Sequence, residues 1–183
     1  MDTHLLDKAI HFAVDAHAGV GRRGKMLPYI VHPMEAVVIV ATMSSDQELL
    51  AAAALHDVVE DTPVTLDIIR AEFGERVAQL VADESDEPGD DWHVTKQRAI
   101  DRIAHASYEG KVVAMGDKLS NMRAIARDYA LMGDELWERF HAPNGRPDHE
   151  WHYRGLACSL SALDGTEAYR EFVQLIEKVF GKL

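Results

Sequence analysis

Three short runs of the chain hold residues able to bind a metal ion, and a fourth is suited to phosphate. The most concentrated is Leu55-His56-Asp57-Val58-Val59-Glu60-Asp61-Thr62. It follows Leu49-Leu50-Ala51-Ala52-Ala53-Ala54, an apolar run expected to form a buried helix. Setting His, Asp, Glu and Asp at the end of such a helix is costly unless the charges are paired or bound to a cation. Adjacent His and Asp share one ion only where the backbone presents both to it. A helix end beside the Thr62-Pro63 break permits that. Alone, a His-Asp pair reads as a helix end turned to solvent.

The second run is Pro28-Tyr29-Ile30-Val31-His32-Pro33, with His32 between apolar residues and a proline. The third is Val112-Val113-Ala114-Met115-Gly116-Asp117-Lys118-Leu119-Ser120-Asn121-Met122. Asp117 follows an apolar stretch, and Asn121, four residues on, shares its helix face. Taken singly, His32 reads as a packed histidine or a helix N-cap, and Asp117 as a cap. Together, His32, His56, Asp57 and Asp117 form a mixed nitrogen and oxygen set. Such a set suits Mn²⁺, Fe²⁺ or Zn²⁺ better than Mg²⁺ or Ca²⁺. An ion held there would lower the pKa of a bound water and supply hydroxide near neutral pH. Glu60 and Asp61 are the candidates to position or deprotonate that water.

The fourth run is a basic loop, Arg22, Arg23 and Lys25 among Gly19, Gly21 and Gly24. A guanidinium fork matches two phosphate oxygens, so this loop is a candidate phosphate holder. Its alternative is an ordinary solvated turn.

The elements that must position these residues are helical. Strand-like alternation is nearly absent, and apolar spacing predicts helices near 2–17, from 32, and over 45–58, with Ser45 and Glu48 as a capping pair. Further helices are predicted from 65 or 67 to 73, then over 75–82, 95–105, 109–129, 134–140, 149–163 and 167–180. Loops are expected at 83–91, which is acidic, and at 142–147. The acidic loop would repel phosphate and is expected to lie away from any substrate cleft. The fold class expected is all-α, about ten helices in a single domain spanning 1–183.

The chain has 183 residues, 47% hydrophobic and 27% charged, which suits one globular core. Aromatic residues make up only 7%, in keeping with few strands. The formal net charge of −12 argues against a basic face for duplex nucleic acid but leaves nucleotides open, given a metal and local cations. The single cysteine, Cys158, excludes an intrachain disulfide and is expected to be a small buried side chain. No apolar stretch nears the roughly 20 residues that span a bilayer, and no secretory pattern opens the chain. A cytoplasmic location is expected. The other histidines are read as surface or packing residues, and Trp137, Trp151 and Tyr153 as core or cleft wall.

In this order, the islands resemble the hydrolase domain of the RelA/SpoT family, especially its stand-alone small alarmone hydrolases. The resemblance runs from Ala16-His17 and Arg22-Arg23, through Pro28-Tyr29-Ile30-Val31-His32-Pro33 and His56-Asp57-Val58-Val59-Glu60-Asp61-Thr62, to Asp117-Lys118-Leu119-Ser120-Asn121. It implies an HD-domain helical bundle that uses Mn²⁺ to remove the 3′-pyrophosphate of (p)ppGpp, giving GDP or GTP. It implies His32, His56, Asp57 and Asp117 as metal ligands and Glu60 and Asp61 as the water-activating pair. Arg22, Arg23, Lys25, Lys118 and Asn121 become candidates for substrate contact. Arg23 stands where the family usually has Lys, Met26 replaces its usual Gly, and Val20 its Gln. These departures fall on the substrate loop and leave the metal set whole, so adenine counterparts of the substrate stay open. The length implies hydrolysis without synthesis. Two other readings compete: a different HD-domain nucleotide phosphohydrolase, and a non-catalytic nucleotide-binding regulator.

Overall fold

The computed structural model describes residues 3–22, 26–85 and 91–182. Among these, ten α-helices and two 3₁₀ segments follow one another, and the one extended pairing is an isolated bridge between Gly21 and Pro28. The all-α expectation holds. The helices are α1 (His4–Ala16), α2 (Val31–Ala41), α3 (Gln47–Leu55), α4 (Val58–Asp61), α5 (Leu66–Phe73), α6 (Glu75–Ala82), α7 (Trp92–His105), α8 (Tyr108–Met132), α9 (Arg146–Ser159) and α10 (Glu167–Phe180).

The centre of the bundle is α3. Every residue from Leu49 to Leu55 is buried, which suits a run of Leu and Ala with no polar side chain to satisfy. α1, α2, α6 and α8 pack around it. The helix begins one residue later than the Ser45 cap predicted. Asp46 is the N-cap, and its carboxylate accepts the Glu48 N–H at 2.9 Å. Arg76 on α6 clasps Asp46, Glu48 and Glu109, tying the starts of α3 and α8 together.

The predicted 45–58 helix is also interrupted. Helical hydrogen bonding lapses at His56 and Asp57, and the four-residue α4 follows. Asp57 sits at φ −95° and ψ −5°, the bridge region common in functional loops.

α2 opens one residue before His32. Pro33 falls in its first turn, where a missing N–H costs nothing because that donor has no intrahelical partner. α8, the longest helix at 25 residues, lies against α2. The close approach depends on Gly116. A Cβ there would stand 2.8 Å from Val40 Cγ2 and 2.9 Å from the Ala36 carbonyl oxygen.

Several expectations need correction. The 134–140 segment is a 3₁₀ run, Gly133–Arg139, rather than an α-helix. α9 starts at Arg146, inside the expected loop, because Pro147 is acceptable in a first turn. α7 starts at Trp92, three residues early, with Asp91 accepting the His93 N–H. Cys158 lies on the outer face of α9 and is exposed, not buried. Trp151 is likewise largely exposed, at 38%, whereas Trp137 and Tyr153 are core. No helix among the described residues is long and apolar enough to cross a membrane.

The α2–α8 contact gives a direct test. Gly116→Ala forces the two helices apart and should cost about 1–3 kcal/mol, the usual penalty for overpacking. Urea unfolding of the variant against the native chain measures it, with a lowered midpoint expected.

Candidate functional site

Three helices deliver their polar residues to one point. His32 comes from the first turn of α2, His56 and Asp57 from the break after α3, and Asp117 from the middle of α8. The two imidazole Nε2 atoms lie 3.2 Å apart. Asp57 Oδ2 is 3.0 Å from the His56 Nε2 and 3.4 Å from that of His32. Asp117 Oδ1 is 3.0 Å from the His32 Nε2 and 3.6 Å from the His56 Nε2. The tightest group, with ligand atoms all within 4.8 Å of one another, is His32, His56 and Asp57, and Asp117 joins it through the two histidines.

Hydrogen bonding fixes which ring nitrogens carry protons. The His56 Nδ1 lies 2.8 Å from the Ala53 carbonyl oxygen, which only accepts, so Nδ1 bears the hydrogen. The His32 Nδ1 lies 2.8 Å from the Ser120 hydroxyl. That hydroxyl donates its own hydrogen to Glu35 Oε2 at 2.8 Å, so it accepts from His32. With each Nδ1 hydrogen turned away, the two Nε2 atoms face each other between two carboxylates. Lone pairs facing at this distance repel unless a cation or a proton lies between them. The donor set and its orientation fit a divalent metal.

The charges respond accordingly. Burial opposes charge on His56, but the Asp57 and Asp117 carboxylates outweigh it and push the imidazole well above its ordinary range. Burial would lift Asp57 and Asp117 as well. The neighbouring imidazoles hold Asp57 below the usual carboxylate range, and Lys118 with both imidazoles does so for Asp117. Tyr29 donates to Asp57 Oδ2 at 2.6 Å, while burial and that carboxylate push its own hydroxyl pKa up.

The cluster borders a cleft of about 500 Å³, which His32, Asp57 and Asp117 line. Glu60 and Asp61, one turn past Asp57, are exposed to this cleft and line it beside Asp57. Arg22, Lys118 and Asn121 line it too. Arg22 donates to Asn121 Oδ1 at 2.7 Å, and Asn121 donates in turn to Asp117 Oδ1. Lys118 bridges Asp117 and Glu84. Thus nine of the eleven residues singled out in the sequence converge on one cleft: His32, His56, Asp57, Asp117, Glu60, Asp61, Arg22, Lys118 and Asn121. Arg23 and Lys25 lie outside the described residues.

Sequence reasoning missed part of the wall. Glu84, second residue of the segment expected to stand clear of the cleft, is buried in it against Lys118, and burial raises its carboxyl pKa. Residues 86–90 of that segment lie outside the described residues. Trp92 and Lys96, one turn apart on α7, also line the cleft, as do His149, His152 and Tyr153 on α9. His141 joins them, so three histidines read as surface or packing groups are cleft residues. The 149, 153, 156 spacing, one face of a helix, was the signal available for α9.

These features define the class, an all-helical protein with a paired-histidine, paired-aspartate cluster of the HD type that could hold a metal ion. A family model of the HD domain matches residues 9–145. A Danio rerio protein named guanosine-3′,5′-bis(diphosphate) 3′-pyrophosphohydrolase MESH1 is 30% identical over 128 residues, covering 68% of this chain and 71% of that protein. Its Xenopus tropicalis counterpart is 33% identical over 129 residues, covering 69% and 72%. The bifunctional (p)ppGpp synthase/hydrolase SpoT of Escherichia coli K12 is 47% identical over 76 residues, only 11% of its length. Among solved structures, that of a metazoan SpoT ortholog superposes with a TM-score of 0.82 at 22% identity, covering 100% of this chain and 99% of the other. One from Listeria monocytogenes EGD-e gives 0.75 at 27% identity, covering 82% and 99%. The chain belongs to the HD-domain family and, within it, to the group that includes these MESH1 proteins.

His149, in the cleft wall, carries a pH-dependent cost. His149 stacks on Trp137 at 5.2 Å and touches Phe140 and Trp92, and its Nε2 has no protein partner. Burial lowers its pKa from 6.5 to about 4, with Asp148 opposing and Lys96 adding to the fall. Between those values the unfolded chain binds the proton and the folded one does not, so stability falls with pH below 6.5. At pH 4.5, His149→Phe should be spared roughly 2 kcal/mol of the loss that the native chain suffers on going from pH 7. Urea titrations at the two pH values measure the difference.

Proposed function

We propose that this chain removes the 3′-pyrophosphate of (p)ppGpp, yielding GDP or GTP and pyrophosphate. The observation that carries this reading is the convergence of His32, His56, Asp57 and Asp117 beside a cleft that Glu60 and Asp61 also line. The names of the MESH1 relatives supply the substrate. Residues 1–183 act as one unit in this reading.

His32, His56, Asp57 and Asp117 are assigned to the metal, with Mn²⁺ as the ion, supported by the mixed nitrogen and oxygen donors. A divalent ion so held supplies Lewis acidity at the phosphoryl oxygens and eases loss of a proton from water. Glu60 and Asp61 orient the attacking water in the cleft and accept its proton. The water oxygen bonds to the phosphorus carried by the 3′ oxygen, and the bond between that phosphorus and the 3′ oxygen breaks. Pyrophosphate leaves, the 3′ oxygen takes up a proton, and the 5′ phosphates stay intact. Tyr29 keeps the Asp57 carboxylate aimed at the histidines through its 2.6 Å hydrogen bond.

Arg22, Lys118 and Asn121 contact the substrate, and Arg23 and Lys25 extend the same basic loop. Arg22 and Asn121 bond to each other, so each has a group to turn toward an incoming phosphate or ribose. The −12 net charge disfavours duplex nucleic acid as an alternative partner. A free, exposed Cys158 accords with a reducing cytoplasm.

The test is pyrophosphate release from ppGpp with Mn²⁺, with the adenine counterpart run alongside. The native chain should turn over, and chelation should stop it until Mn²⁺ is restored. Asp57→Ala and Glu60→Ala should each fall by at least about 100-fold. A metal-loaded native chain that leaves ppGpp intact would sink the reading.

A further inference from the structure

The histidine on α2 is held from behind by a chain of hydrogen bonds that runs to the last helix. Ser120, fully buried on α8, accepts from His32 Nδ1 and donates to Glu35 Oε2. The other Glu35 oxygen, Oε1, faces Arg123 Nη1 at 3.3 Å. Arg123 in turn grips Glu171 of α10 with a two-pronged contact, Nε to Oε1 and Nη2 to Oε2, both 2.7 Å. The order of donors along this chain is forced. Guanidinium nitrogens only donate and carboxylate oxygens only accept. Were the Ser120 hydroxyl to donate to His32 instead, its oxygen and Glu35 Oε2 would face each other 2.8 Å apart as two acceptors without a hydrogen.

We propose that Glu35 and Ser120 are positioning residues, which lock His32 in the tautomer whose Nε2 lone pair is free for the metal. The proposal rests on the metal reading above and adds to it a reason for His32 to be ready before any ion arrives. Partners behind a metal-binding histidine are commonly worth 10–100-fold in metal affinity.

The isosteric change Glu35→Gln makes a sharp test because the direction of the chain inverts. Arg123 offers only N–H groups, so the amide oxygen takes the Oε1 position and the amide nitrogen faces Ser120. The serine oxygen then receives an N–H and must give its own hydrogen to His32 Nδ1. The proton of the ring moves to Nε2, where it points at the metal site. Ser120→Ala is the second variant; it removes the link altogether.

Two measurements decide it on the full chain. In the metal-free protein, ¹⁵N NMR of the imidazoles should show His32 protonated at Nδ1 in the native chain and at Nε2 in Glu35→Gln. Calorimetric titration with Mn²⁺ alone should show roughly 10–100-fold weaker binding in both variants, with thermal melting confirming that they stay folded. Should Glu35→Gln fail to fold, Ser120→Ala decides by the same titration. Native-like Mn²⁺ affinity in the folded variants, or a native His32 protonated at Nε2, overturns the proposal while leaving the metal reading intact. A native chain that takes up no Mn²⁺ overturns both.

Discussion

Two imidazole Nε2 atoms held face to face, 3.2 Å apart and flanked by carboxylates, set the terms for the rest of this molecule. Nothing about such a cluster favours folding by itself. Its members come from sequence positions as far apart as 32 and 117, and each buried polar group needs a partner or it destabilises the fold. Here each histidine has one. The Ala53 carbonyl, left over at the end of α3, takes the His56 hydrogen, and the Ser120 hydroxyl takes that of His32. The apolar mass of α3 and the glycine contact between α2 and α8 then press the three sources together.

Electrostatics explain how so acidic a chain can serve a polyphosphate. The overall charge repels such a ligand, yet Arg22, Lys96 and Lys118 line the same cleft as the carboxylates. Lys118 is itself shared between Asp117 and Glu84. The carboxylates of the cluster stay ionised well below the usual range, because two imidazoles and an ammonium face them from within low-dielectric surroundings. On the proposed function, a cation bound there would complete the balance and make attraction for phosphate local.

The candidate metal set stood out in the sequence because its members sit where apolar residues are expected, and the structure brings them together. His32 and Asp117 interrupt apolar runs, and His56 and Asp57 end one. Helix type and number were equally readable from apolar spacing, since tertiary contacts did not overrule it in most segments. What escaped were features set by geometry across the chain. The lapse between α3 and α4 leaves no local mark beyond Thr62-Pro63, and the 3₁₀ run at Gly133–Arg139 has the same apolar spacing as an α-helix. Glu84 looked like part of a solvated acidic loop, and only its long-range pairing with Lys118 explains why it is buried. His149 and His152 carry no motif at all. They belong to the cleft because α9 packs beside α7, a contact invisible in either segment alone.

The lapse at His56 and Asp57 has a further consequence. Consecutive residues on a regular helix point about 100° apart, so two adjacent ligands can face one point only because the backbone flattens there. The carbonyl of Ala53 sets the ring of the first, and the hydroxyl of Tyr29 holds the carboxylate of the second. Adding or deleting a single residue between Ala53 and Thr62 would swing one ligand out of register with both supports. This stretch is therefore sensitive to a change of length even where every side chain of the site is kept.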